Sequence, residues 1–209
     1  MQRWATPLTL LGLACLSLAA CLHLGPRPDP TRFFTLTPLP QAEQAAAPDS
    51  SNPTRLAVGV GPIQLPGYLD REEFVTRISP IRLAVAENDR WAEPLEDNFA
   101  LVLATNLSTL LLSDRVTRYP WPTNQRPTYQ VEIDVAGFET DSTTRTAQLV
   151  AQWSLRDVAT KQALEIRESR LNQPVKGTTT EASVAALSQV LGDFSREIAK
   201  ALRGLALRQ

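Results

Sequence analysis

The sequence predicts an α+β fold, a mostly antiparallel sheet with two main amphipathic helices packed on one of its faces. Three observations carry that expectation. Between Tyr129 and Ile166, apolar and polar residues alternate in three successive segments separated by turn-prone residues. Two long stretches, beginning at Leu95 and Val184, instead repeat apolar residues at three- and four-residue steps, the period of a helix with one buried face. Short β-prone segments precede the first of these stretches, and no internal repeat or second domain interrupts the order.

The elements follow in chain order. Thr31 to Thr37 (TRFFTLT) reads as a first strand, and the Ala-, Gln-, Pro- and Ser-rich stretch at about 38–53 as a surface loop. Leu56, Val58 and Val60 share one face of a second strand over Arg55–Val60. Pro62 to Arg71, with two prolines, Gly67 and Asp70, fits a short extended or turn segment. Phe74–Ile78 and Ile81–Ala86 pair as a hairpin around Ser79-Pro80.

Pro94 suits a first helical turn, where its missing N–H costs nothing, and Glu93, Glu96 and Asp97 complement the helix dipole. Leu95, Phe99, Val102, Leu103, Leu107, Leu110 and Leu111 then predict an amphipathic helix of about five turns. Val116–Tyr119 follows as a strand.

Tyr129, Val131, Ile133 and Val135 face inward on the next strand. Ala147, Leu149, Ala151, Trp153 and Leu155 do so on its neighbour, and Leu164 and Ile166 begin a third. The polar run of that third strand (Glu165, Arg167, Glu168, Arg170) argues an exposed edge or a strand facing another subunit. Thr178-Thr179-Thr180-Glu181 forms a capping box for the last helix, whose stripe runs Val184, Leu187, Leu191, Phe194, Ile198, Leu202, Leu205. That stripe is read as core, with a coiled coil to a partner as the alternative.

The N-terminus carries an address. Met1-Gln2-Arg3 leads into an apolar run from Leu8 to Leu18, closing with Leu18-Ala19-Ala20-Cys21. A basic start, a short apolar core and small residues at a cut site mark a secretory signal peptide. A cysteine at the first mature position makes it a lipobox. The run falls short of the ~20 apolar residues a membrane span needs. The expected organisation is therefore a lipoprotein signal peptide at 1–20, a lipidated tether at 21–30 and a single α+β periplasmic domain at 31–209. Cys21 would carry diacylglycerol on its sulfur and an acyl group on its amine, and two or more acyl chains hold a membrane stably. Leu22, rather than Asp, follows it, which favours the periplasmic leaflet of a Gram-negative outer membrane.

Composition narrows the function. The chain has 21 basic and 22 acidic side chains, a balance that argues against a nucleic-acid binder. Its two cysteines are Cys15, in the signal peptide, and Cys21, so the folded part has no thiol chemistry. Its one histidine, His23, lies in the tether, which leaves a zinc, copper or triad site almost without ligands. No cofactor is expected beyond the lipid on Cys21, no metal site is expected, and no catalytic residue is assigned. The carboxylate pair Glu132 and Asp134 keeps an acid/base enzyme formally open, while a solvated sheet face explains the pair more simply.

Three segments together carry a resemblance. They are Val60-Gly61-Pro62-Ile63-Gln64-Leu65-Pro66-Gly67-Tyr68-Leu69-Asp70-Arg71, Val75-Thr76-Arg77, and Arg90-Trp91-Ala92-Glu93-Pro94-Leu95 opening a Leu-rich helix. They resemble the ABC-type transport auxiliary lipoprotein family, the PqiC/YmbA group of membrane-integrity lipoproteins, across essentially the whole mature chain. The resemblance implies a non-enzymatic outer-membrane lipoprotein that works with an MCE-domain protein and an inner-membrane permease. Such a system moves phospholipid or other hydrophobic molecules between membranes. The lipoprotein docks the outer end of the MCE tunnel, as a homo-oligomer.

The motif residues Arg71, Arg77, Arg90, Trp91, Glu93 and Pro94 also have structural readings. Trp91 would anchor on Phe99 or Leu95, and Arg90 would pair with Glu93 or Glu96 or cap a neighbouring strand. Leu65, Pro66, Tyr68 and Leu69 lie on an apolar, proline-kinked loop that is either tucked under the core or presented to a partner. The second reading makes them candidate interface residues. A periplasmic lipoprotein that assists outer-membrane protein or lipopolysaccharide assembly is the alternative function.

Overall fold

Eight strands and two helices are formed by the described residues of the computed structural model, which are 29–40 and 56–206. The chain divides into two units, Met1–Pro30 and Thr31–Gln209, and the elements below belong to the second. The predicted signal peptide, Cys21, His23 and most of the loop at about 38–53 lie outside the described residues.

In chain order the elements are β1 (Arg32–Phe34), β2 (Val58–Gln64), β3 (Glu73–Ser79), β4 (Arg82–Trp91), α1 (Leu95–Leu111), β5 (Val116–Arg118), β6 (Tyr129–Asp141), β7 (Thr146–Asp157), β8 (Ala163–Pro174) and α2 (Thr180–Ala206). The strands join in one sheet along β1-β4-β3-β6-β2-β5, with β7 on β6 and β8 on β7.

The sheet is mixed, not mostly antiparallel as expected. β1–β4, β2–β5, β2–β6 and β3–β6 are parallel, while β3–β4, β6–β7 and β7–β8 are antiparallel. Alternation reports that a strand has one buried face, but not which way its neighbour runs. Parallel neighbours need a long crossover. The β3–β4 hairpin and α1 supply it between β2 and β5, and β2 then lies between two parallel partners.

Both helices cover the sheet face that holds Phe138 and Trp153. Phe99 of α1 meets Phe138 edge-on at 5.1 Å, and Phe194 of α2 meets Trp153 edge-on at 6.3 Å. Each such fully buried ring contributes about 2 kcal/mol by leaving water. The predicted stripe of α2 is buried from Val184 to Leu202 and half-buried at Leu205, so it is core. Trp153 Nε1 donates to Ser169 Oγ at 2.9 Å, and that hydroxyl donates to Glu197 Oε2 at 2.9 Å, which ties β8 to α2.

Several boundaries move for local reasons. β1 is only three residues long, because the chain then turns across the helices. β2 starts at Val58 and runs past Pro62, with a register shift between Val60 and Ile63 where Gly61 takes a φ of 108°. β4 reaches Trp91, and Pro94 sits at the N-cap of α1 rather than inside its first turn. The cap of α2 falls on Thr179, whose hydroxyl accepts from Ala182 N at 3.2 Å, so no box closes from Thr178. The carboxyl of Glu181 is held below the usual range by its own backbone N–H and by the Thr179 hydroxyl. β8 pairs only with β7 and is an edge among the described residues.

Candidate functional site: an acidic cleft built from the motif segments

After β2 the chain folds into a tight turn. Leu69 N donates to Pro66 O at 2.8 Å, Asp70 N to Gly67 O at 3.3 Å and Arg71 N to Leu69 O at 2.9 Å. Gly67 is exposed at the apex, and Leu69 turns inward to 3% exposure. The second motif segment arrives from the hairpin. Trp91 N donates to Glu72 O at 2.6 Å, and Ala92 N to Phe34 O at 2.8 Å. Those bonds lock the chain before α1 against the start of β3 and the end of β1.

Between the two segments lies a cleft of about 440 Å³, within the size range of ligand sites. Its apolar base is Leu65, Leu69, Trp91 and Leu95, and Phe33 of β1 stands at its rim 66% exposed. Asp70, Glu72, Glu93 and Glu96 also line it, against one cation, Arg71. Partial burial raises the carboxyl of Glu96, and Asp97 and Asp70 raise it further. The two walls therefore present like charges to each other. Among the described residues, neither Asp70 nor Glu96 has a salt-bridge partner.

The cleft collects Leu65, Leu69, Arg71, Trp91, Glu93 and Pro94 of the predicted residues. The others stand elsewhere. Pro66 shapes the turn. Arg90 pairs with Glu73 at 3.2 Å and Glu72 at 3.4 Å, not with Glu93 or Glu96, because it is still in β4 and directly opposite Glu73. Trp91 packs on Phe74, with ring centroids 5.3 Å apart, while Phe99 is taken up by Phe138 and Phe194. Glu132 is held by Arg156 at 3.2 Å, and it shares a shallow hollow with Asp134.

Tyr68 and Arg77 converge on a residue that sequence reasoning missed, Glu139 of β6, whose side chain is 1% exposed. Arg77 Nε donates to Glu139 Oε1 at 2.8 Å, and Nη2 lies 2.8 Å from the same oxygen. Gln148 Nε2 donates to that oxygen at 2.9 Å, and the Tyr68 hydroxyl donates to Oε2 at 2.8 Å. Burial raises the Tyr68 phenol to about 12, helped by its bond to Glu139, and the same carboxylate raises Arg77. This network pins the loop that forms one wall of the cleft. Among the described residues, no group of three or more His, Cys, Asp or Glu is placed to hold a metal ion.

This geometry belongs to an α/β domain that presents a cleft. The family model of the ABC-type transport auxiliary lipoprotein component matches residues 34–199, so the chain belongs to that family. Among solved structures, a Xanthomonas campestris protein of the family known as DUF330 is 20% identical, with a TM-score of 0.67, over 81% of this chain and 93% of its own. A crystal structure described only as an uncharacterized protein is 20% identical, with a TM-score of 0.65, over 82% and 98%. At that identity the likeness shows the fold. Among curated proteins none matches the chain. No described helix is long and apolar enough to cross a membrane.

Proposed function

We propose that this chain is a non-enzymatic accessory lipoprotein of an MCE-type intermembrane lipid-transport system. It is anchored through Cys21 in the periplasmic leaflet of the outer membrane and docks the outer end of the tunnel. It acts by holding a partner, as one copy of a homo-oligomer, while an inner-membrane permease completes the path. The observation that carries the reading is the cleft. The motif segments 60–71 and 90–95, separated by a hairpin, meet there through Leu65, Leu69, Arg71, Trp91, Glu93 and Leu95, within a region matched by a transport-auxiliary family. Lipid on Cys21 would raise the domain's effective concentration near the membrane, so modest contacts suffice.

The test is co-purification from membranes of the wild-type chain and of Cys21→Ala. The wild type retains an MCE-domain ring protein. Cys21→Ala is recovered from the soluble periplasmic fraction, folded. Recovery of barrel-assembly or lipopolysaccharide machinery with the wild type, in place of the ring protein, refutes the reading.

A further inference from the structure

Resting on that reading, we propose that the cleft binds an extended segment of the protein partner in which an apolar anchor is flanked by lysine or arginine. The apolar base and the acidic rim call for different halves of such a segment. Half-buried Leu65 and exposed Phe33 offer the apolar surface that one or two anchor side chains would cover, over a nearly buried floor of Leu69, Trp91 and Leu95. An anchor seated in a dry pocket carries most of the affinity at such sites.

The rim then selects what surrounds the anchor. Four carboxylates and one cation, Arg71, line the cleft. Glu72 is paired with Arg90 and Glu93 accepts from Asn98, while Asp70 and Glu96 have no cation within salt-bridge distance among the described residues. The carboxyl of Glu96 is raised first by partial burial and then by the neighbouring charges of Asp97 and Asp70. A cation placed between Asp70 and Glu96 relieves their repulsion, and complementary charge speeds encounter and rejects wrong partners. A phospholipid headgroup is disfavoured by the same charges, because its phosphate would face the carboxylates. The cleft therefore recognises a partner's chain and not the transported lipid.

The probe is a labelled hexapeptide, a central Leu-Phe pair between two lysines on each side, followed by fluorescence anisotropy against the full folded domain. Its twin carries glutamates for the lysines, and a third peptide carries Ser-Gly for Leu-Phe. Binding of the first at about tens of micromolar is expected, a value typical of one anchor with rim charges. Asp70→Asn with Glu96→Gln weakens it about tenfold, the size of one or two exposed charge pairs. Both side chains are exposed, so far-UV circular dichroism stays unchanged. Equal binding of any two of the peptides, equal binding to the double variant, or no binding of the first peptide overturns the proposal. Such a failure leaves the ring protein in the wild-type eluate. Failure of the transport reading removes it, whatever the peptides do.

Discussion

Two irregular stretches of this chain lie against the core, and opposite chemistry holds them. Residues 35–39 are fixed by neutral groups. Leu36 N donates to Asn98 Oδ1 at 2.7 Å, Thr37 N to Ser188 Oγ at 3.1 Å and Leu39 N to Asn106 Oδ1 at 2.8 Å. Residues 65–71 reach one buried carboxylate, Glu139, through Tyr68, and Arg77 and Gln148 share that carboxylate. The first stretch is stapled to the helices, where amides satisfy buried donors at little desolvation cost. The second forms a wall of the cleft, and its position depends on a buried charge that must stay paired. Titration should therefore reach the cleft wall while leaving the helix staple alone.

The largest expected effect comes from breaking the charged side. Arg77→Met leaves Glu139 buried beside two neutral donors, and removing one partner of a buried pair costs about 3 kcal/mol. For a domain of this size that lowers Tm by roughly 6–12 °C. Urea unfolding reads it directly, and a shift in midpoint no larger than that of a surface substitution would show that the network is ornamental. The neutral side gives a smaller loss. Asn106 is fully buried, accepting from Leu39 N and donating to Ser195 Oγ at 3.0 Å. Asn106→Ala orphans the Leu39 N–H and should cost about 2 kcal/mol. No titratable group belongs to that network, so the cost should be the same at pH 7 and pH 11. A cost that changes between them breaks the contrast.

Much of this architecture is written in the residues. The hairpin turns at Ser79-Pro80, and both apolar stripes are buried. The cleft was legible as two motifs but not as one place, because the hairpin between Glu73 and Trp91 returns the chain to its starting point only in three dimensions. Glu139 was hidden for a different reason. Alternation along β6 holds from Tyr129 to Val135, then a register shift between Val135 and Gly137 resets the pleat. Phe138 then takes the helix side, and Glu139 turns to the opposite face. There the 65–71 loop, through Tyr68, closes over it. A carboxylate one step past an apolar residue ordinarily reads as solvated. The arrival of Arg77 from β3, Gln148 from β7 and Tyr68 from a remote loop makes burial affordable. The direction of the strands was illegible because period-two patterning is the same in parallel and antiparallel neighbours.

The smallest effect is the most discriminating. Tyr68→Phe removes one donor to Glu139 and keeps the ring, so at neutral pH it should cost about 1.5 kcal/mol, the low end for a bond to a charged acceptor. Its signature is the pH dependence. The folded phenol ionises near 12, against about 10 in the unfolded chain. The unfolded state therefore releases its proton first. The stabilisation is complete below pH 10 and drains away as pH rises through 10 to 12. Wild type should lose more stability than Tyr68→Phe between pH 9.5 and 11, so the two urea midpoints converge. Parallel midpoint curves over that interval would mean that the phenol does not feel the buried carboxylate. The cleft wall would then be held by packing alone, as Leu69 is, and the contrast with the amide-stapled stretch would vanish.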